Sequence, residues 1–259
     1  MPYSIVIRAH NEAAHIGRLL QGIARQSCPD AEVILVDSGS TDATVEIAEA
    51  AGAQITRIAP EEFTFGRALN FGVQAASHER VVIASAHVYP IYPDWIERLL
   101  KPLDSPAVAV VYGRQRGTAA SKFSEQQIFR QWYPDADIIP QASPFCNNAN
   151  AAIRRSVWQQ HPYDETLTGL EDVAWAKWAQ SQGWQVAYAA HAEIVHIHAE
   201  TVSSVYNRYR REGMAFKRIF AEAHFSAYDC LRLTATNILS DLRQARREGV
   251  LLRSAASIA

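Results

Sequence analysis

Cysteine is scarce in this sequence. Cys28, Cys146 and Cys230 are the three cysteines among 259 residues, and they lie far apart. An odd number at such spacing argues against a disulfide framework and against a CxxC zinc site. We therefore expect a protein of a reducing compartment, the cytoplasm.

Long apolar segments are also missing. No stretch approaches the roughly 20 apolar residues that a membrane-spanning helix needs. The opening MPYSIVIRAH has no basic segment of the kind found in secretory signals and starts directly on a strand-like run. We expect contact with a membrane, if there is any, to be peripheral and on the inner face.

An excess of positive charge is the third missing feature. The formal net charge is −2, so the overall charge does not indicate nucleic acid as a partner, and none is expected. Arginine and lysine do cluster in the last quarter of the chain. That local bias needs its own explanation.

Short apolar runs alternate with helical patterns over the first part of the chain. Strands are predicted at residues 3–9, 32–36, 54–58 and 81–84, and apolar spacings of three and four predict helices between them. This alternation favours an α/β fold with a mostly parallel central sheet and helices on both faces.

The pattern changes after residue 87. It predicts a helix near residues 95–100, a buried strand at 108–112, an edge strand at 147–155, a helix at 172–182 and a strand at 193–198. Residues 113–144 are polar and interrupted by proline, which is typical of a long functional loop. We expect one domain over residues 1–200, divided near residue 115 into two halves, and a helical extension over 201–259.

The extension contains an aromatic stripe. Its members repeat at spacings of three and four and are Val202, Tyr206, Tyr209, Gly213, Phe216, Phe220 and Ala223. Arg208, Arg211 and Arg218 lie off this stripe. One interpretation is an amphipathic helix packed on the domain. The other is a basic, aromatic helix that contacts an anionic membrane surface or a lipid-linked substrate.

Polar clusters follow three of the predicted strands. They are His10-Asn11-Glu12, the segment 37–42, and Ser85-Ala86-His87. Since the carboxyl ends of parallel strands share one edge, these clusters are expected to meet in one crevice, where open α/β sheets bind ligands. The simpler alternatives are that Ser40 and Asp42 only cap a helix and that His87 is an ordinary loop histidine.

Five segments in this order resemble an inverting family 2 glycosyltransferase with the GT-A nucleotide-sugar-binding fold. They are SIVIRAHNEAAHIGRLL, VILVDSGSTDATVEIA, FGRALNFGVQAA, VVIASAHVYPIYPDWIERLL and GLEDVAWAKWAQSQGW, and they cover about the first 200 residues. The competing dinucleotide fingerprint G-x-G-x-x-G does not follow the first strand, which argues against a dehydrogenase.

The resemblance implies that the half over about residues 1–115 binds a nucleotide-diphosphate sugar and that the half over about 116–200 binds the acceptor. A UDP-sugar is the first expectation, because Asp37 would bind a uracil-like edge. The other implied donor contacts are made to the base or ribose by Ala9 and Glu12, to the pyrophosphate and ribose by Arg67 and Asn70, and to the diphosphate by Ser85 and Ala86. The alternative for Arg67 is a surface arginine at a helix start.

The acidic pair Glu171-Asp172 matches the family position of the catalytic base. Inverting transfer needs one carboxylate to take the proton of the acceptor hydroxyl. The resemblance assigns this role to Asp172 and the orientation of the acceptor to Glu171. The alternative is acidic residues that only stabilise a helix N-terminus.

The sequence departs from the family at Ser85-Ala86-His87, where most members carry the metal-binding Asp-x-Asp. His87, joined by His196 or His198, remains a candidate ligand, and imidazoles favour Mn²⁺ over Mg²⁺. Alternatively the site works without metal, and protonated histidines with Arg67 offset the diphosphate charge.

The departure also raises two other functions. One is a non-catalytic nucleotide-sugar-binding module or partner subunit, against which the retained pair Glu171-Asp172 argues. The other is a nucleotidyltransferase, which is disfavoured because no glycine-rich, lysine-containing loop lies near the first strand.

Overall fold

The computed structural model describes residues 2–28, 30–118, 121–197 and 201–258. The strands are β1 (Tyr3–Ala9), β2 (Ala31–Asp37), β3 (Gln54–Arg57), β4 (Arg80–Ser85), β5 (Val88–Pro90), β6 (Val108–Arg116), β7 (Asn150–Arg154) and β8 (Gln185–His196). The helices are α1 (Ile16–Ala24), α2 (Thr44–Ala50), α3 (Phe65–Ala75), α4 (Trp95–Leu100), α5 (Phe123–Trp132), α6 (Arg155–Gln160), α7 (Glu171–Ser181), α8 (Val202–Ile219), α9 (Ala227–Arg247) and α10 (Leu251–Ile258).

The eight strands form one sheet in the order β3-β2-β1-β4-β7-β6-β8-β5. The pairs β1–β2, β1–β4, β2–β3 and β6–β8 are parallel, whereas β7 is antiparallel to both neighbours and β5 is antiparallel to β8. The predicted α/β class with a mostly parallel sheet is confirmed.

Helices cover both faces of the sheet, as predicted. Along β1, Ile5 and Ile7 point into one core cluster with residues of α1 and α4, and Val6 points into the other with residues of α3 and α7. Because both faces of a strand are buried, its sequence is a continuous apolar run and not an alternating one. The apolar runs of β1, β2 and β4 therefore indicated central strands.

The predicted edge strand at residues 147–155 is wrong in position. β7 lies in the middle of the sheet, between β4 and β6. Ala151, Ala152 and Ile153 are fully buried there. Alanine carries little apolar surface, so this strand lacks the branched apolar run by which a central strand is recognised.

The predicted loop at residues 113–144 contains the end of a strand and a helix. Its first part continues β6 to Arg116, and α5 occupies Phe123–Trp132. Phe129 packs in the main core with Tyr133, while Phe123 packs against Ala245 of α9. The polar composition hid α5 because only a narrow side of this helix is buried.

The C-terminal extension is helical, as predicted, and includes α10, which the sequence pattern did not indicate. The less exposed residues of α8 are Val205, Arg208, Glu212, Ala215 and Ile219, which share one face. The aromatic stripe is a different face, and Tyr206, Tyr209 and Phe216 are exposed. Phe220, near the end of the stripe, lies under Lys177 of α7, with Nζ 4.5 Å from the ring centroid. The helix therefore packs on the domain, but these three aromatic residues of the stripe stay outside the contact. Within the described ranges, no helix combines the length and apolar character needed to cross a bilayer.

Candidate active site

The predicted crevice forms at one edge of the sheet. The parallel strands β1, β2, β4, β6 and β8 all end there, and the antiparallel β7 begins there. This edge gathers Glu12, Asp37, His87, Asn148 and His196, which come from every part of the domain. Convergence of the polar clusters follows from the strand directions.

His87 lies at the centre of the first group of polar side chains. Its Nδ1 is 2.8 Å from Oε1 of Glu12, and its Nε2 is 3.2 Å from Oγ of Ser85. Its ring stacks on His196 with the centroids 5.0 Å apart. The Nδ1 of His196 is in turn 2.8 Å from Oε1 of Gln115. His87 is therefore a fixed part of the crevice and not an isolated loop histidine.

The two imidazoles share one arrangement. Each places Nδ1 against an oxygen acceptor, Glu12 for His87 and Gln115 for His196, which favours a proton on Nδ1. Histidines that bind metals through Nε2 are commonly oriented in this way. The described residues nevertheless contain no group of three His, Cys, Asp or Glu side chains able to hold a metal ion. His198, the third predicted ligand, lies outside the described residues.

The acidic pair opens α7 directly after Leu170, whose φ of 56° is in the left-handed region. Oδ2 of Asp172 accepts a 3.1 Å hydrogen bond from the backbone N–H of Asn148. Burial, and secondly the negative charge of Glu171, raise the pKa of Asp172 from 3.8 to about 7. A carboxyl group with this pKa exchanges protons near neutral pH, as a general base must.

Glu171 is buried and is held by two groups. Nη1 of Arg8 lies 3.4 Å from its Oε1, and Nδ2 of Asn148 lies 3.5 Å from the same atom. The guanidinium of Arg8 also lies over the ring of Phe65, 5.2 Å from its centroid. A positive charge from β1 thus stands beside the acidic pair of α7.

The histidine group and the acidic pair are joined through two adjacent residues. The backbone N–H of Ser85 donates to the carbonyl of Ala149 at 3.3 Å, and the next residue back, Asn148, binds Asp172. The predicted diphosphate seat at the end of β4 and the predicted base at the start of α7 therefore lie at the same edge, joined by the segment that leads into β7.

The turn after β2 is held by its own side chains. Asp37 is buried and accepts hydrogen bonds from the backbone N–H groups of Gly39 and Ser40, each at 3.2 Å. Oγ of Ser40 accepts from the N–H of Asn11, and Asp42 accepts from the N–H groups of Ala13 and Thr44. The N-cap of α2 is Ala43, without a side-chain cap hydrogen bond, so Ser40 does not cap this helix. Ser40 and Asp42 instead fasten the turn to the loop after β1, and Asp42 also binds the first N–H of α2.

The two predicted alanine contacts can involve only backbone or a methyl group. Ala9 is 5 % exposed, and its carbonyl accepts from the N–H of Ser38 at 3.1 Å. Ala86 is fully buried. Their contacts with a donor stay predictions.

Arg67 and Asn70, both on α3, are hydrogen-bonded to other protein groups. Arg67 Nε donates to Glu165 at 2.8 Å. The Asn70 amide donates to Tyr163 and Glu165 and accepts from Trp158, all at 2.9 Å. Both residues tie α3 to the segment before α7, and their predicted contacts with the donor remain predictions.

Three residues of the site were not singled out from the sequence: Arg8, and Gln115 and Asn148, which lie in segments expected to shape the acceptor side. Arg8 was visible as the one charged residue in the apolar run of β1, and Asn148 belongs to the pair of asparagines before β7. Their partners Glu171, His196 and Asp172 are 24 to 163 residues away. Only the folded sheet edge brings them together.

Solved structures share this fold. The mannosyltransferase PcManGT from Pyrobaculum calidifontis, in complex with GDP-Man and Mn²⁺, superposes with a TM-score of 0.68 at 20 % identity over 99 % of this chain and 80 % of its own. Staphylococcus aureus TarS 1-349 in complex with UDP gives 0.61 at 16 % identity over 84 % of this chain and 66 % of its own. The fold is that of the GT-A glycosyltransferases.

The sequence comparisons then give the family. The profile of the glycosyl transferase family 2 matches residues 4–161, more than half of the chain, and the protein belongs to this family. The O-antigen chain rhamnosyltransferase RfbN of Salmonella typhimurium is 26 % identical over 227 residues, covering 83 % of this chain and 72 % of the relative. WbaN of Salmonella anatum is 25 % identical over 224 residues, or 82 % and 71 %. The chain is a glycosyltransferase that acts on sugar donors.

Proposed function

We propose that this enzyme moves a sugar from a nucleotide-diphosphate sugar to a hydroxyl of a saccharide or lipid-linked acceptor with inversion, with Asp172 as the general base. The observation that carries the proposal is the position of Asp172, which opens α7 at the edge of the sheet where the donor is expected and accepts from the N–H of Asn148. Burial beside Glu171, which raises its pKa to about 7, supports the assignment. A surface carboxylate that only stabilised a helix would keep a pKa near 4.

The proposed reaction has one chemical step. The acceptor oxygen attacks the anomeric carbon from the face opposite the diphosphate, and its proton passes to the carboxylate of Asp172. The bond between the anomeric carbon and the diphosphate oxygen breaks, and the nucleoside diphosphate leaves with the electron pair. Glu171, held by Arg8 and Asn148, orients the acceptor.

The donor is proposed to lie along the ends of β1, β2 and β4. Ala9, Glu12 and Asp37 would face the nucleoside, and a UDP-sugar remains the first candidate. The relatives' names add rhamnose as the transferred sugar and an O-antigen chain as an acceptor class. The mannosyltransferase neighbour adds GDP-mannose to the panel of donors to test.

The charge of the departing diphosphate must be offset, and two chemistries are open. The described residues do not form a metal site by themselves, since His87 and His196 supply two nitrogens at most. A Mn²⁺ ion, as bound by the mannosyltransferase neighbour, would need the diphosphate and water as further ligands, and Mg²⁺ fits imidazole less well. Without metal, imidazolium would act; the charge of Arg67 is already paired with Glu165.

Chelation separates these chemistries. If a metal is used, EDTA stops turnover, Mn²⁺ restores it, and His87→Ala reproduces the loss. If turnover is indifferent to EDTA but still needs His87, the imidazole itself offsets the charge. Turnover that survives both treatments removes His87 from either role.

The central test is the release of nucleoside diphosphate from a panel of nucleotide sugars. Asp172→Asn should abolish release while donor binding, measured by calorimetry, stays within about twofold of wild type. Asp104→Asn, at the opposite edge of the sheet, is the matched control. Proton NMR of the product reports inversion or retention at the anomeric carbon.

Other outcomes identify the competing functions. Donor binding without release from any donor–acceptor pair would favour the non-catalytic module, which the loss of Asp-x-Asp suggests. Release of pyrophosphate would favour a nucleotidyltransferase. Full activity of Asp172→Asn would remove the proposed base.

A further inference from the structure

An exposed aromatic face runs along α8. Tyr206, Tyr209 and Phe216 are three and seven residues apart and therefore lie on one stripe of the helix. Their exposures are 68 %, 48 % and 46 %. Large contiguous apolar surfaces on soluble proteins generally mark interaction sites.

Contacts on other sides of α8 fix the direction of this face. The side-chain hydroxyl of Thr168 donates to the carbonyl of Arg211, and Arg218 donates to the carbonyl and hydroxyl of Thr166, each at 2.8–2.9 Å. Arg211 also lies over the ring of Phe65. Because Arg211 and Arg218 hold α8 against the domain, the aromatic face on another side of the helix is left exposed.

Further exposed apolar residues follow α8 along the chain. Phe225 in the connection and Tyr228 and Leu231 at the start of α9 are each about 70 % exposed. The same side of α9 becomes buried only later, at Ala245, where α10 and α5 cover it. We call the exposed apolar residues of α8, of the connection and of the first turns of α9 the aromatic surface; Leu239 of α9 and Leu252 of α10 are exposed outside it.

The charge around the aromatic surface is positive. Residues 201–259 contain ten Lys and Arg and five Asp and Glu, a net charge of +5, whereas the whole chain carries −2. The first 200 residues thus carry −7. Arg210 and Lys217 lie within one residue of Tyr209 and Phe216. A second copy of the chain would bring two positive surfaces together, while an anionic lipid surface complements this one.

We propose that the aromatic surface docks on an anionic membrane, with its aromatic rings at the level of the lipid headgroups and its basic residues against the phosphates. Tyrosine is enriched at this depth because its ring is apolar and its hydroxyl is polar. A helix with such a face lies in the plane of the interface. Membrane docking itself does not depend on the proposed function; only the statement that the acceptor is lipid-linked rests on it.

Docking in this orientation has a consequence for the crevice. α8 contacts Thr166 and Thr168, which lead directly into Glu171 and Asp172. Because those contacts are made on a different side of α8 from the aromatic face, the acceptor side of the site would lie one helix diameter, roughly 10 Å, from the lipid surface. An acceptor hydroxyl on a lipid headgroup would have to extend over that distance to reach the base.

The test is sedimentation of the full chain with vesicles of phosphatidylcholine alone or with phosphatidylglycerol. We expect binding to the anionic vesicles at 50 mM salt, weaker binding at 300 mM, and little to neutral vesicles. The triple variant Tyr206→Ser, Tyr209→Ser, Phe216→Ser should lower binding at least tenfold. Phe71→Ser, which removes an exposed phenylalanine from α3, is the matched control.

Two arginine variants test the electrostatic part of the proposed membrane binding. Arg210→Gln should weaken binding to anionic vesicles about fivefold, as expected for one basic residue near such a surface. Arg57→Gln, an exposed arginine of β3, should not. Circular dichroism checks that every variant is folded.

Three results would overturn the proposal: no preference for anionic vesicles, equal loss in the control variants, or a dimer seen by light scattering that the triple variant dissolves. The last would assign the surface to a second copy. Vesicle binding needs no turnover, so a protein that binds vesicles but transfers no sugar would refute the proposed function and leave the docking surface in place.

Discussion

Nδ1 of His87 and Oε1 of Glu12 lie 2.8 Å apart, although the residues are 75 positions apart in the chain. From the sequence, Glu12 was expected to contact the nucleoside, and His87 to bind a metal or offset the diphosphate charge, as separate groups. In the structure they form one unit at the ends of β1 and β4. A change in either should therefore affect the other.

The first prediction concerns this pair. Glu12→Gln keeps the shape of the side chain but removes the charge that orients His87, since hydrogen bonds with one ionised partner are about twice as strong as neutral ones. We expect the KM for the donor to rise about tenfold. Initial rates over a range of donor concentrations measure it, with Glu46→Gln on α2 as the control.

A double-mutant cycle then tests the coupling. If the two residues act as a unit, His87→Ala should cost much less in the Glu12→Gln background than in wild type, because interacting residues are not additive. Additive losses would mean that each residue contacts the donor independently.

The sequence predicted the part of the fold that depends on local patterns. The strand–helix alternation from β1 to β4 and the shared edge of their carboxyl ends follow from apolar periodicity and from the handedness of parallel crossovers. The position of β7 did not follow, because its pairing with β4 and β6 depends on contacts between distant segments.

The site was predicted only in part for the same reason. Asp172 was found by its place in a family pattern, but its pKa depends on burial and on Glu171, which no spacing reveals. The sequence left two interpretations of α8 open, because periodicity defines an apolar stripe without saying what covers it. The side chain of Arg211 lies over Phe65, its carbonyl accepts from Thr168, and the side chain of Arg218 donates to Thr166. These contacts fix the orientation of α8.

The second prediction tests the packing beneath the crevice. A Cβ on Gly72 of α3 would collide with Cγ1 of Val6 and lie 3.0 Å from Cγ2 of Val36. Gly72→Ala should therefore destabilise the protein by about 1–3 kcal/mol. The control is Gly213→Ala on α8, where a Cβ meets nothing within 4 Å and the change should stabilise by about 0.5–1 kcal/mol. Urea unfolding measures both, and equal effects would contradict the packing of α3.

The third prediction is the pH dependence of the reaction. Only the ionised carboxylate of Asp172 accepts a proton, so kcat/KM should fall tenfold per pH unit below about 7. Rates measured between pH 5 and 9 at constant ionic strength test this. A flat profile from pH 5 to 7 would show that a different group takes the proton.

The fourth prediction is the stability of Asp172→Asn. The folded state raises the pKa of this carboxyl from 3.8 to about 7, so it binds the proton more tightly than the unfolded state, and stability is lost as pH rises through that range. Above pH 7 the charge is a full penalty that asparagine removes. Tm should rise by a few degrees at pH 8 and not at pH 4. Equal shifts at both pH values would argue against an elevated pKa.

The fifth prediction separates the role of Arg8 from a purely structural one. Arg8 forms an ion pair with Glu171, and its positive charge lowers the pKa of Asp172. Burial and the charge of Glu171 together raise the pKa of Asp172 by more. Arg8→Gln should therefore shift the acid limb of the kcat/KM profile upward by about half a pH unit, because a nearby cation favours the ionised carboxylate. Arg8→Lys should restore most of the shift, and Arg98→Gln, which breaks an ion pair with Asp94 on α4, should cause none. If Arg8→Gln lowered the rate equally at every pH, the residue would only support the fold. A shifted limb with kcat changed and the KM for the donor unchanged would place it as a positioning residue for the acidic pair.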